Sequence, residues 1–99
     1  MNATKKQTGS ELLVELEGSI DSTTSNELNT VLSESLKGVK SLILDFKKID
    51  YISSAGLRVL LATYKSLVGQ GGNMVIRNVN QNVMDIFTMT GFDNILTIE

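Results

Sequence analysis

The chain contains no cysteine, no histidine, no proline and no tryptophan. Without cysteine there is no disulfide, no iron–sulfur cluster and no thiolate zinc site. Without histidine the usual metal ligand is missing, and with it the commonest general base. The absence of proline removes any stiff tether and fits a compact domain. Charge of one sign is also sparse in runs. Nine Lys and Arg stand against eleven Asp and Glu, a net charge of -2, and the only basic clusters are the pairs Lys5-Lys6 and Lys47-Lys48. Phosphate-backbone binding needs clustered cations, so nucleic acid is not an expected partner. No apolar run approaches the roughly 20 residues that span a bilayer. Met1 to Glu11 is polar and has no apolar core of a secretory signal. The expectation is a soluble cytoplasmic monomer without membrane insertion.

Several catalytic signatures are missing as well. There is no Gly-x-Ser-x-Gly nucleophile elbow, no Walker-type phosphate loop and no Gly-x-Gly-x-x-Gly. Gly69, Gly71 and Gly72 precede a strand instead of opening a helix, the wrong context for a dinucleotide. A nucleophilic Ser54 would need a base. The nearest on its helix, Lys65, lies about three turns away. The chain is therefore read as a non-enzyme, with no cofactor and no metal.

The residues that are present suffice for one core. A domain of 99 residues with 41% hydrophobic content buries about 60–70% of its unfolded surface. Residues 1–99 are read as a single domain. Leu12 to Glu17 alternates and ends at Gly18, which predicts a strand, with an antiparallel partner in the polar segment before Gly9-Ser10. Asp21, Ser22 and Thr23 are N-cap candidates for a helix, with Glu27 placed for a capping box. Leu28, Val31, Leu32 and Leu36 follow at helical spacing up to Gly38. Val39 to Phe46 is the most apolar strand. Its consecutive Leu42, Ile43 and Leu44 suit a central strand covered on both faces.

Leu57, Leu60, Leu61, Tyr64 and Leu67 mark a second helix, ending near Gly69. Asn73 to Arg77 reads as a strand, Val83 to Thr90 as a third helix stopped by Gly91, and Asn94 to Ile98 as a last strand. Strands alternating with helices imply right-handed βαβ units and a mainly parallel sheet. In such sheets function gathers at the carboxyl ends of strands.

That rule points to Ser53 and Ser54, where the apolar strand gives way to the second helix. A helix start exposes unpaired N–H groups and the positive end of the macrodipole. A hydroxyl there serves as a cap, and a phosphate there is stabilised by the same groups. Two readings stay open on the residues alone: a phosphorylation switch, or an ordinary cap. A third uses Asp21, Asp45 and Asp50 as a receiver-type phosphoacceptor site. It lacks the late-strand lysine, since Arg77 stands there, and the chain is short for that fold.

The stretch Ile49-Asp-Tyr-Ile-Ser-Ser-Ala-Gly-Leu-Arg-Val-Leu-Leu61 resembles the signature of STAS domains. The likeness is greatest to small, single-domain bacterial anti-sigma factor antagonists. Leu16 to Asp21, Leu42 to Phe46, Gly71-Gly72 and Phe87 to Phe92 resemble further family segments in the same order. The resemblance implies an α/β fold with a mixed, mainly parallel sheet of four to five strands and three to four helices. It also implies a partner-switching function. The unphosphorylated antagonist binds an anti-sigma factor that is also a serine kinase, phosphorylation releases it, and a phosphatase resets it.

Matched on Gly56-Leu57, the family's phosphoacceptor falls on Ser54. Ser53 replaces the family's Asp and is an alternative acceptor, and Ala55 replaces a second hydroxyl. The implied partner surface comprises Asp21, Ser22, Thr23, Ser53, Ser54, Gly56, Leu57 and Arg58. The alternative is a STAS scaffold or regulatory subunit of a membrane transport or signalling complex, never phosphorylated.

Overall fold

A computed structural model describes residues 1–99. Strands β1 (Asn2–Thr8) and β2 (Glu11–Ile20) form an antiparallel hairpin over Gly9-Ser10. Helix α1 (Thr24–Ser35), β3 (Ser41–Ile52), α2 (Ser54–Gly69), β4 (Asn73–Arg77) and α3 (Gln81–Thr90) follow. A 3-10 turn at Phe92–Asn94 and a short β5 (Thr97–Ile98) complete the chain. The five strands lie in sequence order, β1 antiparallel to β2 and the other neighbours parallel. This is the expected mixed, mainly parallel sheet with three α-helices.

The strand order explains the layering. Strands β2 to β5 are added in one direction through one helix or turn each, and crossovers of one hand then place every helix on one face. Leu12, Val14 and Leu16 of β2, Leu42, Leu44 and Phe46 of β3, and Met74 and Ile76 of β4 point into that face. They meet Leu28, Leu32 and Leu36 from α1, Leu57, Leu60 and Leu67 from α2, and Val83 and Phe87 from α3. The alternate residues Leu13, Ile43 and Val75 sit side by side on the other face and lie outside this core. The apolar run in β3 is thus central but covered by helices on one face only. Ile43 is buried between its cross-strand neighbours instead of under a helix.

β3 also runs past the expected end at Phe46. The pairing with β2 slips twice: Glu15 and Glu17 face Asp45 and Lys48, and Gly18 and Ser19 face Ile49 and Tyr51. Each slip adds one residue to β3, a bulge that bends the strand and reorients its later side chains. The inward residues Phe46, Ile49 and Ile52 are therefore three apart, which hides the strand from a search for alternation.

The last strand is shorter than the expected Asn94–Ile98. Gly91 closes α3 at φ 79°, a left-handed cap suited to glycine. The chain then turns tightly, with the Leu96 N–H donating to the Phe92 carbonyl at 2.8 Å.

Phe87 is fully buried against Phe46, with ring centroids 6.3 Å apart. Phe87→Ala should destabilise the domain by about 3–5 kcal/mol, read from urea unfolding.

Candidate functional site

The site lies where β2 and β3 end. Ile20 and Ile52 are the last register partners of the two strands. The Ser53 N–H continues the ladder by donating to the Ile20 carbonyl at 2.7 Å. The residues just beyond each strand, Asp21-Ser22-Thr23 and Ser53-Ser54, are thereby neighbours at one end of the sheet.

The two serines divide the work. Ser53 is the N-cap of α2, with extended backbone (φ -89°, ψ 171°). Its hydroxyl oxygen accepts the Gly56 N–H at 3.3 Å, and its carbonyl accepts the Leu57 N–H at 3.0 Å. Ser54 is the first helical residue. It is exposed, and its hydroxyl makes no hydrogen bond within the protein. The N–H groups of Ser54 and Ala55 have no protein acceptor either. The helix carries no acidic residue in its first turn, so nothing neutralises the positive end of its dipole.

Gly56 and Leu57, expected in the partner surface, are buried. A Cβ at Gly56 would sit 2.6 Å from Ile20 Cγ2 and 2.8 Å from Ile52 Cγ1. The glycine lets α2 press onto the ends of β2 and β3, and Leu57 begins the core face. Both residues seat the helix and offer no surface to a partner. Asp21, Ser22, Thr23, Ser54 and Arg58 are exposed around the junction, and Ser53 is half-buried.

The loop before α1 is organised by Asp21. Its Oδ1 accepts the Thr23 N–H at 2.9 Å and the Thr24 N–H at 2.8 Å. Thr24 Oγ1 accepts the Asp21 N–H at 2.8 Å and donates to the Ser19 carbonyl at 2.7 Å. The reciprocal partner of Asp21 is therefore Thr24, not Glu27. The Thr24 and Thr23 N–H groups hold the Asp21 carboxyl below its ordinary pKa of 3.8, with a smaller push from the Thr24 hydroxyl.

The three aspartates weighed as a receiver-type site are engaged separately. Asp45 accepts the Lys47 N–H at 2.9 Å and Asn78 Nδ2 at 3.1 Å. Asp50 accepts the Ser19 hydroxyl, and Asp21 holds its own loop. No group of three acidic side chains converges on a point suited to a cation. No helix is long and apolar enough to cross a membrane. Sequence reasoning missed the Ser19–Asp50 contact. It depends on the second bulge of β3, which leaves Asp50 without a β2 register partner.

This geometry defines a class: a two-layer α/β domain with a free hydroxyl at a helix start, beside an exposed loop, at the carboxyl edge of a parallel sheet. The STAS domain family model matches residues 2–99, and the chain belongs to that family. A Bordetella bronchiseptica protein, the candidate anti-sigma factor antagonist BtrV, is 34% identical over 88 residues, covering 88% of this chain and 76% of that protein. The anti-sigma-B factor antagonist of Bacillus subtilis is 28% identical over 98 residues, covering 99% and 90%. Among solved structures, the anti-sigma factor antagonist SpoIIAA in its unphosphorylated form superposes with a TM-score of 0.77 at 15% identity, covering 99% of this chain and 87% of that one. The phosphorylated form of SpoIIAA gives 0.76 at 16% identity, covering 99% and 91%. At those identities the likeness is one of fold.

The contributions of the caps are separable by mutation. Ser53→Ala should cost about 1 kcal/mol of unfolding free energy through the lost cap, whereas Ser54→Ala should stay within about 0.5 kcal/mol. Urea titration of both variants checks the pair. For Asp21 the folded-state pKa lies below the unfolded one. Its stabilising contribution is present above about 3.8 and is lost as pH falls through the lower folded value. Between about pH 6 and about pH 3 the urea midpoint of the parent should therefore fall more steeply than that of Asp21→Asn.

Proposed function

We propose that this protein is a phosphorylation-controlled partner-switching module. Its unphosphorylated form binds an anti-sigma factor that doubles as a serine kinase. Phosphorylation of Ser54 ends that complex, and a phosphatase restores the binding form. The module acts as a monomer in the cytoplasm and catalyses nothing itself. The observation that carries this reading is the contrast between the serines. The Ser54 hydroxyl is exposed and unbonded at a helix start, while the Ser53 hydroxyl is committed to the Gly56 N–H. The anti-sigma factor antagonists among the relatives support the partner class.

The mechanism needs no refolding. Phosphate adds about -1.5 to -2 charge. The first N–H groups of α2 and its dipole tolerate that charge in the free protein. A partner packed over the same spot would bury an unpaired dianion, which costs far more than the contact returns. The exposed set Asp21, Ser22, Thr23, Ser54 and Arg58 forms the contact surface, with half-buried Ser53 at its edge. Ser53 is the poorer acceptor, because its modification would also remove the cap of α2.

Intact-mass and fragment-mass analysis of the protein from its own cells tests the reading. The expected result is one phosphate on a fraction of molecules, localised to Ser54. Phosphate on Ser53 would move the switch by one residue. No phosphate under several growth conditions would leave the constitutive scaffold. With the partner in hand, Ser54→Ala should bind like the unmodified parent and Ser54→Asp at least about tenfold more weakly, measured by calorimetry. Equal binding by both would sink the switch.

A further inference from the structure

Arg58 stands one helical turn beyond Ser54 on the exposed side of α2. It has no carboxylate partner. The ion pairs of the protein join Lys6 to Glu15, Lys48 to Glu17 and Arg77 to Glu99. The carboxylates at this end of the sheet are engaged elsewhere, Asp21 with Thr23 and Thr24 and Asp50 with the Ser19 hydroxyl. The guanidinium is therefore an unpaired cation one helical turn from a free hydroxyl.

Direction favours an encounter between them. Residues four apart on a helix have Cβ atoms about 5–6 Å apart. Helical side chains lean toward the N-terminus and cover the preceding turn. That lean puts the turn carrying Ser54 within reach of the Arg58 side chain. Its planar fork matches two phosphate oxygens, and the unpaired Ser54 and Ala55 N–H groups lie beneath.

We propose that Arg58 is an intramolecular clamp for a phosphate carried on Ser54. This rests on the reading of Ser54 as the phosphoacceptor and adds a second effect to modification. In the unmodified protein Arg58 is a positive contact available to an acidic group on the partner. Phosphorylation captures that cation in cis, so the partner loses an attractive group as it meets a repulsive one.

The test uses full-length protein with phosphoserine installed at position 54 by genetic-code expansion, in the parent, Arg58→Lys and Arg58→Gln backgrounds. Phosphorus NMR follows the second ionisation of the phosphate, ordinarily near a pKa of about 6. The clamp predicts a value about half a unit lower in the parent than in Arg58→Gln. Arg58→Lys, which keeps the charge and loses the fork, should fall between them. The gap should shrink at about 1 M salt, where the screening length is about 3 Å.

Equal titrations in the parent and Arg58→Gln would overturn the clamp. Arg58 is exposed, so circular dichroism should show all backgrounds equally folded. Because the phosphate is installed and not added by a kinase, the two ideas fail separately. Absence of phosphate in cells removes the switch, and equal titrations remove the clamp.

Discussion

The parallel pairing of β2 with β3, held to its last register partners Ile20 and Ile52, is the constraint on which the site depends. It sets the loop after β2 and the helix after β3 side by side. The Ser53 N–H to Ile20 carbonyl bond extends the pairing by one residue beyond the strands. Gly56 then closes the joint from the helix side, because there is no room for even a methyl group between α2 and the two isoleucines. The start of α2 is therefore held by backbone geometry and close packing, and its exposed hydroxyl is presented from a rigid base.

Three helices begin at this end of the sheet, and each start is met by different chemistry. The N-cap of α1, Thr23, makes no side-chain cap bond, but the Asp21 carboxylate ahead of it accepts the Thr23 and Thr24 N–H groups. Ser53 caps α2 with a neutral hydroxyl, and Asn80 caps α3 with an amide. The positive end of α1 is thus already matched by a charge. Those of α2 and α3 are not, and neither has an acidic residue in its first turn. Only α2 places a free hydroxyl at its first position, since α3 starts with Gln81. Where added negative charge would be best tolerated, an exposed hydroxyl stands. Arg58, unpaired one turn further on, extends the same positive field outward.

Much of this was legible in the residues, for identifiable reasons. Helices α1, α2 and α3 announced themselves because their inward faces repeat at the helical period and glycines stop them. Strand β4 was read with its true limits, Asn73–Arg77, because it is short and alternates cleanly. The second half of β3 was not, because two bulges move its inward residues from every second to every third position. One-sided coverage of β3 was equally hidden. Leu42, Ile43 and Leu44 look alike in sequence, and only the sheet order decides which of them a helix covers. In the site, the Ser-Ser-Ala-Gly-Leu run located the junction and Leu57 as the start of the apolar helix face. The partner surface implied by the resemblance also counted Gly56 and Leu57, whose burial depends on how closely α2 meets the strands.

The amino-acid sequence alone determined the alternation of strands and helices, the place of the strand-to-helix junction, and the absence of histidine and cysteine chemistry. Those come from periodicity, local turn residues and composition, all short-range properties. The tertiary structure decided which serine caps and which is free, which of the neighbouring residues a partner can touch, and that Thr24 answers Asp21. The reach of a partner depends on how closely α2 meets the ends of β2 and β3, which their register sets. The Ser53–Gly56 and Asp21–Thr24 contacts each span three residues and turn on local backbone geometry that residue types alone do not fix.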